Sequence, residues 1–222
     1  MDYEKFIIDS IQKMAGKRTP YQIFSDWITM TAIAIQNQCT MIQDKVFEDR
    51  EELYRTIAKR YDMGEIKNMA DMTGALAILL DTKLCDKLGE IYMKTGCGNK
   101  YTGQFFTPYH LSYMTAKLIY QEKILELAED DVIEINEPSA GGGGMIIALA
   151  QVMMENEINY QKRLHIVAQD LDWNSVYMTY IQLSLLGMRA VVVQGDSLCE
   201  PYCIGYDERR LLRTPTEMGV II

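Results

Sequence analysis

Residues 132–145 read VIEINEPSAGGGGM. A short apolar run carrying Val132, Ile133 and Ile135 leads through Asn136-Glu137-Pro138-Ser139-Ala140 into four consecutive glycines, Gly141, Gly142, Gly143 and Gly144. A longer apolar run, 145–154, comes after them. The pattern predicts a strand, a tight glycine loop and a helix. Glycine permits a sharp turn and lets a ligand approach where a Cβ would block it. The helix start beyond the loop offers unpaired N–H groups and a positive dipole end to an anionic group. Taken alone, the pattern fits a purely structural turn as well as a binding loop, so the flanking sequence decides.

Downstream, the texture alternates. Strands are expected at 132–136, 164–169 and 190–194, with helices at 145–156 and 173–186 between them. Short joins between such elements predict a parallel sheet with crossover helices. The apolar tetrapeptide Gly219-Val220-Ile221-Ile222 is a candidate fourth strand.

Upstream, the chain reads as helical. Phe6, Ile7, Ile11 and Met14 recur at helical spacing before the turn Gly16-Lys17-Arg18-Thr19-Pro20. Further helices are expected at 21–41, from Asp49, at 69–80 and at 86–93. The many Met and aromatic residues there are core filler. A glycine-rich loop with Gly96, Gly98 and Gly103 comes next, then Pro108 in the first turn of a helix running to 129, with Thr107 as its N-cap. Residues 1–100 are thus expected to be a helical region and 101–222 an α/β part. No glycine–proline linker divides them, so the helices are expected to pack on the α/β part.

Composition excludes several classes. No apolar run approaches the roughly 20 residues that a membrane-spanning helix needs, and the charged N-terminus lacks a signal-peptide core. Five scattered cysteines, no CxxC and two histidines argue for reduced cytoplasmic thiols and no metal site. A net charge of −9 disfavours a strong grip on a polyanion by this chain alone. The basic clusters, Lys17-Arg18 and Arg209-Arg210 with Arg213, fit solvated faces equally well.

Open α/β sheets bind ligands at the C-terminal ends of their strands, and several features fall there. Gln169-Asp170-Leu171-Asp172 ends the second strand. Asp170 is placed to accept hydrogen bonds from both hydroxyls of a ribose, whereas Asp172 before Trp173-Asn174 reads as a helix cap. Gly195-Asp196-Ser197-Leu198 ends the third strand, where Asp196 fits either an acceptor for an adenine amine or an ordinary Asp turn. A nicotinamide dinucleotide would ask for GxGxxG at the loop, but its third glycine falls on Ile146 or Ile147.

In order, Leu88-Gly89-Glu90-Ile91-Tyr92, Gly103-Gln104-Phe105-Phe106-Thr107-Pro108, Glu137-Pro138-Ser139-Ala140 with the glycines, Gln169-Asp170-Leu171-Asp172 and Gly195-Asp196-Ser197-Leu198 resemble the adenine-specific DNA methyltransferases. They are close in kind to the modification subunits of type I restriction systems, and the resemblance covers roughly residues 86–200. It implies a Rossmann-like methyltransferase core, incomplete at its C-terminal side, behind an N-terminal helical region. It also implies S-adenosylmethionine as cofactor. By the resemblance, Phe106 and Thr107 contact the methionine end, and Glu137 faces the methionine ammonium. Gly141 and Gly143 admit the backbone close to the ligand. Asp170 holds the ribose, Leu171 lies on the adenine ring, and Asp196 accepts from the adenine amine.

The family's catalytic tetrapeptide, Asn or Asp, Pro, Pro, then Tyr or Phe, holds the target amine of a flipped base. None of the five prolines here adjoins another, so the tetrapeptide is absent, and Glu200-Pro201-Tyr202 is only a superficial echo. Two accounts are open: a piece of a longer methylase, or a short protein that keeps only the cofactor half. The exposed sheet edge is expected to be covered by the N-terminal helices, a second copy or a partner subunit. The expected function is cofactor binding in DNA adenine methylation, with catalytic residues from outside these residues. The alternatives are a non-catalytic module that binds a protein partner and a methyltransferase for another substrate.

Overall fold

The computed structural model describes residues 2–96, 106–128 and 131–220. Each early helix starts at a side-chain cap that accepts from an amide three residues on. Asp2 opens α1 (Tyr3–Met14), and Thr19 opens α2 (Pro20–Cys39) with Pro20 in the first turn. Asp44 opens α3 (Lys45–Ala58), ahead of the expected Asp49, because its carboxylate takes the Phe47 N–H. Asp62 and Glu65 form a reciprocal capping box that opens α4 (Met63–Thr82) ahead of the expected 69. Asp86 opens α5 (Lys87–Lys94).

Pro108, not Thr107, occupies the N-cap of α6 (Tyr109–Leu125), and no side chain caps it. The residue before a proline is pushed toward extended backbone, which leaves Thr107 outside the helix. The α/β part then runs β1 (Ile133–Glu137), α7 (Gly144–Glu155), the short α8 (Tyr160–Arg163), β2 (Leu164–Asp170), α9 (Trp173–Leu185), β3 (Arg189–Gln194) and β4 (Leu211–Arg213). Strand order is β1-β2-β3-β4, with β1, β2 and β3 parallel and β4 antiparallel to β3.

The candidate fourth strand at 219–222 is corrected. Gly219 lies in a turn at φ +75°, Val220 is in no strand, and 221–222 lie outside the described residues. Leu211-Leu212-Arg213 takes that place, three residues too short and too close to charged neighbours to show a period.

The two sides of the sheet differ. Leu164, Ile166, Ala168, Ala190 and Val192 face the main core with α7 and α9. On the other side Val191, Val193 and Leu211 form a small cluster with Val167, Tyr202 and Tyr206. Residues 174–184 of α9 are all buried, because β2 and β3 flank one side and α2, α4 and α5 the other. The N-terminal helices therefore pack on α9 and not along β1. The open side of β1 instead borders a groove of about 410 Å³ with the end of α6.

Polar contacts reinforce the apolar joint. Asn174 accepts from the Ser25 hydroxyl at 2.7 Å and donates to the Tyr21 hydroxyl at 2.9 Å. No helix among the described residues is long and apolar enough to cross a membrane.

Leu183, fully buried in α9, tests this arrangement. Leu183→Ala is expected to lower unfolding stability by about 2–5 kcal/mol, since the helix is packed on every side and cannot collapse into the space. Urea denaturation followed by circular dichroism measures it. A loss below about 1 kcal/mol would show that α9 is not the shared centre of the two regions.

Candidate functional site

The glycine loop is stitched to its neighbours by backbone atoms. The Ala140 N–H donates to the Gln169 carbonyl of β2 at 3.0 Å, and the Gly143 N–H closes a turn on the Ala140 carbonyl at 2.7 Å. Gly141 and Gly143 sit at φ +56° and +87°, a region that favours glycine. The Thr179 hydroxyl donates to the Gly141 carbonyl at 2.9 Å, and Gln182 Nε2 donates to the Gly142 carbonyl at 2.6 Å. Thus α9 holds the loop from below. A Cβ on Gly142 would lie 2.6 Å from both carboxylate oxygens of Asp86, so no larger residue fits without moving that carboxylate.

Asp86 is the unexpected member. It is buried, and its Oδ1 accepts from the Gly89 N–H and from Gln182 Nε2, both at 2.8 Å. Burial pushes its carboxyl above the usual range, opposed by those same two hydrogen bonds. Gln182 Oε1 in turn accepts the Leu88 N–H at 3.1 Å. One amide side chain therefore ties α5, α9 and the glycine loop together.

Asp170, at the end of β2, accepts the Gly141 N–H at 2.8 Å through Oδ2 and the Asp172 N–H at 3.0 Å through Oδ1. Asp172 caps α9 by accepting from Ser175, as expected. Leu171 projects between them and is exposed. Asp196 turns on itself: its Oδ1 accepts from the Leu198 and Cys199 amides. The Leu198 amide, foremost, holds its carboxyl below the ordinary range. Buried Gln169 anchors the following loop, donating to the Glu200 carbonyl and accepting the Tyr202 N–H.

Two clefts flank the loop and share Ser139. The first, about 110 Å³, brings Phe106, Thr107 and Gly141 together with Asp86, Ser112 and Gly144. The second, about 340 Å³, brings Asp170, Leu171 and Asp196 together with Pro138 and Leu198. Glu137 and Gly143 line neither. Glu137 accepts the Ser139 N–H at 3.2 Å, and burial raises its carboxyl. Gly143 abuts Thr179. Phe106 packs edge-on to Tyr92, which packs in the same way on Phe24 of α2, so an aromatic chain joins the first cleft to the N-terminal helices. Gly103, Gln104 and Phe105 lie outside the described residues.

Asp86, Ser112 and Gln182 escaped the sequence reading. The available signals were a carboxylate three residues before Gly89 and an amide inside the apolar run Ile181-Gln182-Leu183. The basic clusters are engaged: Arg18 with Glu65, Arg209 with Asp207, Arg210 with Glu200 and Arg213 with Glu208. Glu200 of the Glu200-Pro201-Tyr202 echo is thereby used as an ion-pair partner. Among the described residues no group of His, Cys, Asp and Glu is placed to hold a metal ion.

Comparison with known proteins bears on the family to which this site belongs. No curated protein matches the chain. A solved structure described as a class I S-adenosylmethionine-dependent methyltransferase from Listeria monocytogenes aligns at 11% identity and TM-score 0.46, over 98% of this chain and 69% of that one. The type I restriction-modification system methyltransferase subunit from Streptococcus thermophilus aligns at 14% identity and TM-score 0.43, over 88% of this chain and 43% of that subunit. The assignment rests on neither distant likeness. The family model for N-6 DNA methylases matches residues 86–210, more than half of the sequence. That range holds Asp86, the glycine loop, Asp170, Gln182 and Asp196, and the chain belongs to the N-6 DNA methylase family.

Proposed function

We propose that this chain binds S-adenosylmethionine for methyl transfer to adenine in DNA. The observation that carries the proposal is the pair of clefts meeting at the glycine loop, at the C-terminal ends of parallel strands. Bound there, S-adenosylmethionine supplies a methyl group on a positively charged sulfur. A sulfonium ligand suits a site walled by Asp86, Asp170 and Asp196 better than a pyrophosphate does.

The residues fit such a ligand at both ends. In the larger cleft Asp170 accepts from ribose hydroxyls, Leu171 covers one face of the adenine, and Asp196 accepts from its amine. In the smaller cleft Phe106 and Thr107 contact the methionine end, and the first-turn N–H groups of α7, which lack intrahelical acceptors, meet its carboxylate. By the family resemblance Glu137 serves the ammonium, although it lines neither cleft and accepts the Ser139 N–H. The turned backbone at Gly141 and Gly143 lets these contacts form without side-chain obstruction. The helical region (1–100) and the α/β part (101–222) act together, because Asp86 comes from the first and the loop from the second.

The acceptor amine is held by residues from outside this sequence or from a partner subunit, since the tetrapeptide for that step is not among these 222 residues. DNA contact divides in the same way. The net charge is −9, and the arginines of the basic clusters are already in ion pairs.

Calorimetric titration of the purified chain with S-adenosylmethionine, beside NADH, is expected to show binding of the first alone. Binding of neither would favour the reading as a non-catalytic module. Asp170→Ala is expected to weaken binding by about 1–3 kcal/mol, through lost ribose contacts and a loosened Gly141 amide. Unchanged affinity in the folded variant would remove Asp170 from the site.

A second expectation concerns turnover. With labelled S-adenosylmethionine and DNA, the chain alone should incorporate no label into adenine. Incorporation by the isolated chain would overturn the division of the active site.

A further inference from the structure

We infer that Asp86 and Ser112 form a buried grip for the α-ammonium group of an amino-acid head, in addition to Glu137; the inference rests on reading the clefts as an S-adenosylmethionine site. Two groups in the smaller cleft have unmet bonding capacity. Asp86 spends both its hydrogen bonds on Oδ1, and Oδ2 has no partner among the described residues. Ser112, only 1% exposed, has a hydroxyl without a partner among the described residues, although a helical serine commonly bonds the carbonyl four residues back. Natural proteins rarely leave a buried hydroxyl unsatisfied, and this one lines the same cleft as the Asp86 carboxylate.

The two groups address the same point. The position a Cβ would take on Gly144 is 3.4 Å from Asp86 Oδ2 and 3.6 Å from Ser112 Oγ. Glycine at 142 and 144 keeps that space clear. The cleft of about 110 Å³ exceeds what one water needs, about 10–15 Å³ on the same measure. It therefore has room for an ammonium, a carboxylate and the carbon between them.

The chemistry of the walls selects a zwitterion. Asp86 Oδ2 is an acceptor for a charged N–H donor. Gly144 and Met145, in the first turn of α7, line the same cleft and present amides that lack intrahelical acceptors. Acceptors for a cation and donors for an anion within one small cleft match the head of an α-amino acid. Gln182 and the Gly89 amide hold the Asp86 carboxylate in place, so the acceptor is preorganised.

The test compares S-adenosylmethionine with 5′-methylthioadenosine, which keeps the adenosine and lacks the amino-acid head. Affinities are measured by calorimetry on the full chain, with folding checked by circular dichroism. Asp86→Asn keeps a hydrogen-bond acceptor and removes the charge. It should weaken S-adenosylmethionine about tenfold or more, as expected for a bond to a charged group. Ser112→Ala should weaken it about threefold, the smaller effect of one hydroxyl. Neither variant should alter binding of 5′-methylthioadenosine. Equal losses for both ligands would make the pair purely structural, and unchanged affinity for S-adenosylmethionine would show no contact. If Asp86→Asn does not fold, Ser112→Ala decides alone. Wild-type chain that binds only 5′-methylthioadenosine overturns the grip and leaves the adenosine site standing. Wild-type chain that binds neither overturns the cofactor reading and this inference with it.

Discussion

The side-chain amide of Gln182 is the joint on which the architecture turns. Its nitrogen donates to Asp86 and to the Gly142 carbonyl, and its oxygen accepts from Leu88. Every bonding position of a buried amide that the surroundings can fill is filled. Such a network tolerates little displacement, because any member that slips is left unpaired in a low-dielectric interior. The glycine loop, a segment with little conformational preference of its own, is thereby held by two elements: by Gln182 and Thr179 on α9, and by Asp170 and the backbone of Gln169 on β2. The stiffness that the loop lacks in its own sequence is supplied by residues distant in the chain.

Much of this was legible in the sequence, for identifiable reasons. The parallel strands are short and rich in Ile and Val, and their joins are short, so the strand–helix alternation and the β1–loop–α7 unit stood out. Asp170 and Asp172 were separable because one ends a strand and the other precedes a helix, and the structure gives them those positions. Helix starts were misplaced where a cap lay outside the apolar pattern, as at Asp44 and Asp62. The last strand was missed because three residues carry no period. Asp86, Ser112 and Gln182 were invisible for a different reason. Polar residues on helices usually face water, and only the three-dimensional packing shows that these three face inward toward one loop.

The charged surface shows the same economy of local pairing. The arginines that make the C-terminal part look basic sit beside the acids that neutralise them, Arg209 with Asp207 and Arg213 with Glu208 within a few residues. Exposed pairs of this kind add little to stability, but they remove the free guanidinium groups that phosphate recognition would use. The sheet shows a comparable asymmetry: helices cover one side, while Tyr202 and Tyr206 cover part of the other.

The packing of α2 on α9 has a consequence for synthesis on the ribosome. Ser25 and Asn174, bonded across that joint, are 149 residues apart. At about 5–20 residues per second, roughly 7–30 seconds separate the emergence of the two partners. Through that interval the side of α2 that meets α9 lacks the surface that finally buries it. The helices formed first can pair among themselves, α1 with α4 and α2 with α3, but they remain an open half-core. The nascent chain therefore carries an adhesive face over that interval, and its yield in a cell depends on what shields that face until α9 arrives.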